Sequence, residues 1–285
     1  MKAKLKEAAE RGDVDMLWDL IREDPNLLEN FNGFVNTPLH VAASMGKIVF
    51  GLEVMMLKPC FSAKQNPDGF TPMHLAIRNG HARMAELMFD GNDNLIRIPG
   101  RGGVTPLHHV VEKGDIHLLK KFLSPNPQSI EDVTVGGDSV LHIALKNSEI
   151  EVFRFLVIRL KTAIHKDAHI QEKKILNWKD GEGNTVLHIA AANNQPKVVE
   201  FLINCGVEVN CKNFAGMTAL DIVESEVHVD HKEVSEILQA AFYRRTTTPF
   251  VLAVGSVVKT ISYGYVALTL SLVLLIVAYL TIQWF

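Results

Sequence analysis

Five of the chain's twelve histidines fall at one recurring place: His40, His74, His108, His142 and His188 each stand three residues after a Thr or Ser. An imidazole can act as a general base, a proton shuttle or a metal ligand. A catalytic base is needed once, however, not five times at the same register position, so the series is read as structural. His165 and His169 lie four apart, and His228 and His231 three apart, but neither pair has Cys or carboxylate neighbours at zinc spacing. Cys60, Cys205 and Cys211 make an odd count without the dense spacing of a disulfide scaffold, and are read as ordinary thiols. Gly100-Arg-Gly-Gly103 and Gly181-Glu-Gly183 have neither a preceding strand nor a Gly-Lys-Ser/Thr ending, so they are loop turns rather than phosphate cradles. No Ser or Cys has nucleophile-elbow surroundings. These residues predict no catalytic, metal or cofactor site.

What must position those histidines is a repeat. Thr37-Pro-Leu-His40, Thr71-Pro-Met-His74, Thr105-Pro-Leu-His108 and Ser139-Val-Leu-His142 follow one another at 34-residue intervals. Thr185-Val-Leu-His188 comes 46 residues later and Thr218-Ala-Leu-Asp221 a further 33. Upstream, Ala8-Ala9-Glu-Arg-Gly12 precedes Ala42-Ala43-Ser-Met-Gly46 by 34, so the array opens on a half-matching unit. The Thr or Ser is a natural helix N-cap, and Pro38, Pro72 and Pro106 sit in a first turn that has no use for an amide N–H. Small residues such as Ala42 and Ala76 make a closely packing first helix, and Gly46, Gly80 and Gly114 allow the left-handed turn that ends it. Second helices follow with apolar spacing, as in Val198, Val199, Phe201, Leu202 and Ile203. One such unit cannot bury its own apolar faces; stacked units form one continuous core. The prediction is an all-α solenoid of six to seven helix–turn–helix units over residues 1–243, with Ser148 and Asn194 standing where the turn Gly is expected. A charged stretch near 161–174 falls outside the pattern and is read as an extended second helix plus a loop.

Composition divides the chain. Residues 1–245 carry 28 Lys and Arg against 32 Asp and Glu, a mildly acidic balance with no basic footprint for nucleic acid. From residue 246 onward Lys259 is the single charge. Residues 261–285 have none, and 11 of the 18 from Tyr265 to Ile282 are Leu, Ile or Val. As a helix that core is about 27 Å long, suited to a hydrocarbon layer of roughly 30 Å. Tyr263, Tyr265 and Trp284 are placed as interfacial anchors, and residues 244–260 form a juxtamembrane linker. Arg244, Arg245 and Lys259 lie on the N-terminal side of the span, which predicts a single-pass C-terminal anchor with the repeats in the cytosol, at the plasma membrane or endoplasmic reticulum. The absence of Asn-x-Ser/Thr acceptors agrees. Ala267 and Ser271 make a small-xxx-small pair through which spans could instead assemble into a homo-oligomer.

The Thr-Pro-Leu-His and Gly-turn signatures resemble the ankyrin repeat. That resemblance implies that the recurring His braces a loop by hydrogen bonding, and that a protein partner binds a concave face of loop fingers and first-helix positions. On it the residues before each motif, Asn36, Phe70, Val104, Asp138, Asn184 and Met217, are expected to be exposed, with Asp68, Arg101, Trp178, Lys179, Asp180, Asn213 and Phe214 at the finger tips. Exposed aromatics such as Phe70, Trp178 and Phe214 are favoured anchors. Residues 177–222, with the opening KEAAERGDVDMLWDLIREDPNLL, further resemble plant ankyrin-repeat membrane proteins of the "bian da" type. That likeness implies a membrane-tethered adaptor in defence or growth signalling. The family's Pro-Gly-Gly motif and additional spans are missing here.

Overall fold

The computed structural model describes residues 2–162, 168–225 and 231–243. The expected linker 244–260 and span 261–285 lie outside the described residues; among those that are described, no helix is long and apolar enough to cross a membrane.

Seven helix pairs stack in chain order among the described residues. They are α1 (Lys2–Arg11) with α2 (Val14–Glu23), α3 (Pro38–Ser44) with α4 (Ile48–Leu57), α5 (Pro72–Arg78) with α6 (Ala82–Gly91), and α7 (Pro106–Glu112) with α8 (Ile116–Leu123). Next come α9 (Val140–Lys146) with α10 (Ile150–Lys161) and, after an added helix α11 (Ala168–Leu176), α12 (Val186–Ala192) with α13 (Pro196–Asn204). The last pair is α14 (Ala219–Ser225) and α15, which spans 232–243. First helices pack on first helices and second helices on second, so each unit covers the apolar face of the one before it. The resulting core runs without a break from Leu5 through Phe50, Met84, Phe122, Phe153 and Val199 to Leu238. Gly51 on α4 faces the end of the Met84 side chain on α6.

Between the second helix and the next motif of the first four units, two residues at a fixed offset turn inward and close the layer. They are Leu27 and Leu28, Phe61 and Ser62, Leu95 and Ile96, and Ser129 and Ile130, each pair on a short 3₁₀ turn. In the fifth unit Ile175 and Leu176, at the end of α11, occupy the same offset and are equally buried. The additional residues of the 46-residue interval are therefore spliced in upstream of this pair, where they leave the stacking register undisturbed. This corrects the sequence reading in one respect: α10 stops at Lys161, and residues 168–176 are helix rather than loop. The charged composition conceals the apolar pair that anchors the helix.

Two first-helix turns lack the expected glycine and are nevertheless left-handed. Ser148 has φ 60° and Asn194 φ 51°, a region that Asn tolerates well and Ser less so.

Candidate functional site: the fingers and the inner-helix face

The five recurring histidines are fully buried, and four of them link successive units. Each completes a capping box at its own helix. Thr37 N–H donates to His40 Nδ1 at 3.1 Å, and the same geometry recurs at His74, His108, His142 and His188. A Glu or Gln usually fills this N3 role; here an imidazole does, and its second nitrogen reaches forward to the next finger. His40 Nε2 donates to the Phe70 carbonyl (3.1 Å), His74 to Val104 (2.9 Å), His142 to Trp178 and Asn184 (3.2 Å each) and His188 to Met217 (3.2 Å). Because Nδ1 receives an amide N–H and Nε2 faces carbonyls, each of these rings is the neutral Nε2–H tautomer. Burial lowers the pKa of His40 to about 4 and of His74 to about 3 against 6.5 in water, and lowers those of His142 and His188 as well. His108, likewise held by burial at about 4, points at the Asp132 and Asp138 carbonyls without reaching hydrogen-bonding geometry with either. In the last unit Asp221 takes the histidine's place and caps Thr218 (2.8 Å). A carboxylate suffices to cap a helix but has no N–H to offer a following finger.

Three of the fingers are short reversals held by an Asn or Asp side chain five residues before the motif, a place that Gly100 fills in a fourth. Asn66 Oδ1 accepts from Asp68 and Phe70 N–H, Asp180 Oδ1 from Glu182 and Asn184 N–H, and Asn213 Oδ1 from Met217 N–H. Neighbouring fingers are tied by Val135 N–H to Gly102 O (2.8 Å), Gly181 N–H to Gly136 O (2.6 Å) and Phe214 N–H to Glu182 O (3.0 Å). They form a continuous rim beside the inner helices.

This geometry sorts the expected contact residues. Phe214 is 73% exposed, and Asp68, Arg101 and Lys179 are exposed as well. Asp180 is not an exposed tip: only 4% of it is accessible, and its carboxylate is consumed by two amides and by Lys146 Nζ at 3.0 Å. Those donors hold its pKa below the ordinary carboxylate value despite the opposing effect of burial. Trp178 is half-buried against the core with the Lys174 ammonium 6.0 Å over its ring, so it is a packing residue at one edge. Asn213 also reaches back to Asn184 Oδ1 (2.9 Å), and both are half-buried braces. Of the residues preceding the motifs only Asn36 is exposed; Phe70, Val104, Asp138, Asn184 and Met217 are half-buried. Phe70 lies under the Arg78 guanidinium at 4.5 Å and beside the His74 and His109 rings.

Sequence reading misses the inner-helix row that shares this face. Ser44, Arg78, Glu112 and Lys146 recur at the motif's own 34-residue interval, four residues after the first four of these histidines, and change type at every step. The signal lies in a register position that varies where its neighbours repeat. Among the described residues no group of three or more His, Cys, Asp or Glu is placed to hold a metal ion. The pairs His165/His169 and His228/His231 fall wholly or partly outside the described residues.

Stacked two-helix units with capped first helices and tied fingers define an ankyrin-repeat protein, and this chain is one. Residues 5–97 match the family model described as "Ankyrin repeats (3 copies)", and residues 170–223 that described as "Ankyrin repeats (many copies)". The chain is similar to "Ankyrin repeat-containing protein BDA1" of Arabidopsis thaliana, at 40% identity over 242 residues that make up 84% of this chain and 56% of the relative. It therefore spans about half the length of that relative. A stretch of 91 residues, 32% of the chain, is 31% identical to Alpha-latrotoxin-Lh1a of Latrodectus hasselti and covers 6% of it. The crystal structure of the ankyrin repeat domain of Bcl-3 shares the fold with a TM-score of 0.66 at 20% identity, over 83% of this chain and 97% of that one.

Proposed function

We propose that the chain is a membrane-tethered adaptor. The repeats hold a protein partner from the cytosol on the face made by fingers and inner helices, and residues 261–285 fix the complex to the plasma membrane or endoplasmic reticulum. The observation that carries the binding half of this reading is the contrast within one face. The histidine register is the same in five units, while the row four residues after it changes type through Ser44, Arg78, Glu112 and Lys146. Selection for stacking alone would leave no reason for that row to present a different side chain at each step. An uncharged 25-residue C-terminal stretch supports the tether. The likeness to the Arabidopsis protein supports a plant signalling role in defence or growth, and the face of braces and caps supports recognition rather than catalysis.

Deleting residues 261–285 tests the two halves separately. The shortened chain should move to the soluble fraction and still co-purify with the partner that the full chain captures. Retention on membranes after the deletion refutes the tether, and loss of the partner places recognition in the deleted segment.

A further inference from the structure

The row on the inner helices carries three charges among Ser44, Arg78, Glu112 and Lys146, and two of them already have a polar partner inside the protein: carboxylates for Lys146 and a neutral imidazole for Glu112. Lys146 Nζ lies 2.6 Å from Asp138 and 3.0 Å from Asp180, and Glu112 lies 2.8 Å from His109 Nδ1. Arg78 is exposed and makes no ion pair among the described residues; its guanidinium lies 4.5 Å above the Phe70 ring instead. That ring belongs to a floor of three. Phe70 and His109 have centroids 6.1 Å apart, and His74 and His109 meet edge-on at 5.8 Å. His109 is 8% exposed, with its Nε2 buried and without a hydrogen-bond partner. Leu75, one turn before Arg78, is half-buried on the same helix. Burial lowers the pKa of both His74 and His109, so the floor carries no charge to rival the one above it at neutral pH.

A guanidinium stacked on an aromatic face keeps its planar fork of N–H donors directed outward and loses less freedom on pairing than a mobile side chain would. Resting on the adaptor reading above, we propose that Arg78 on the Phe70 platform is the receptor for a carboxylate of the protein partner. The partner then presents an acidic side chain next to an apolar one, the carboxylate paired with Arg78 and the apolar group laid against Phe70 and Leu75. Charge complementarity decides for this occupant: Arg78 makes no ion pair among the described residues and is held over an aromatic ring beside half-buried Leu75, so a carboxylate next to an apolar group matches it.

The test is fluorescence anisotropy of the full chain with three labelled peptides that alternate Leu with Glu, Gln or Lys. The Glu peptide should bind on the order of tenfold tighter than the Gln peptide, and the Lys peptide weakest. Arg78→Gln should erase the Glu preference, Arg78→Lys should restore only part of it because the fork is lost, and Glu112→Gln should leave it in place. Both Arg78 and Glu112 are exposed, so unfolding midpoints should not move. Equal binding of Glu and Gln peptides, a preference that survives Arg78→Gln, or no binding of the Glu peptide at about millimolar concentration would each overturn the proposal. If Glu and Gln peptides bind equally and Phe70→Ala weakens both, this proposal falls while the adaptor reading stands. If Phe70→Ala and Phe214→Ala also leave capture of the cellular partner unchanged, the adaptor reading fails with it.

Discussion

The histidine register and the row four residues after it lie one helical turn apart on the same helices, yet they have opposite characters. The first holds the same residue in five units, fully buried, with both ring nitrogens directed at backbone in four of them. The second holds Ser, Arg, Glu and Lys in turn, the first half-buried and the other three exposed. Uniformity marks the positions that stacking dictates, and variation marks those left open for recognition. In a solenoid whose units touch only their neighbours, the two roles separate cleanly along each helix.

Breaking the uniform register should cost most. His142→Ala removes a capping acceptor, the link to the Trp178 and Asn184 carbonyls, and the volume of a buried ring. Denaturant unfolding should show a loss of about 3 kcal/mol. His142→Asp, which copies the cap that Asp221 makes in the last unit, should recover that cap but not the link to the next finger. It should restore only part of the loss.

Acid should act on the same register in all units together. Each buried histidine has a folded pKa below its unfolded value of 6.5, so the unfolded chain binds protons more readily as pH falls. The contribution of these groups is fully present above about pH 6.5 and is lost progressively below it, down to about 4 for His40 and about 3 for His74. Within that window each costs about 1.4 kcal/mol per pH unit. Stability measured at intervals from pH 7 to 5 should fall steeply; a flat profile would contradict burial as neutral rings.

The left-handed turns give a smaller effect of opposite sign. Ser148→Gly relieves a φ of 60° and should raise stability by about 0.5–1 kcal/mol. The same change at Asn194 should gain less, since Asn is at ease there. Smallest of all, Phe214→Ala at a 73% exposed finger tip should change stability by less than about 0.5 kcal/mol in denaturant unfolding. Any larger change would mean that the tip belongs to the uniform part of the comparison.

Much of this is legible from residue types. Caps, first-helix prolines, turn glycines and the 34-residue interval define the units because each is dictated by the backbone's own hydrogen bonding. The fate of individual finger residues is not, because Asp180 and Asp68 share a side chain but not a register: Asp180 stands five residues before its motif, with Asn66 and Asn213, and Asp68 three before. Asp180 meets Lys146 across 34 residues, whereas Asp68 meets solvent. Trp178 likewise reads as an anchor until the core beneath it is seen. The added helix α11 escapes notice because its buried pair, Ile175 and Leu176, stands at the end of a charged stretch. Arg78 is easily passed over because the motif draws attention to positions that repeat.

Central to all of this is that the residues best equipped for chemistry are braces. Their charge and tautomer can be read directly from imidazole ¹⁵N chemical shifts at pH 5.5, where a free histidine is mostly protonated. Neutral rings with the proton on Nε2 are expected for His40, His74 and His108, which burial holds at about 4, about 3 and about 4. Imidazolium signals from these three at that pH, or protons on Nδ1, would contradict the assignment.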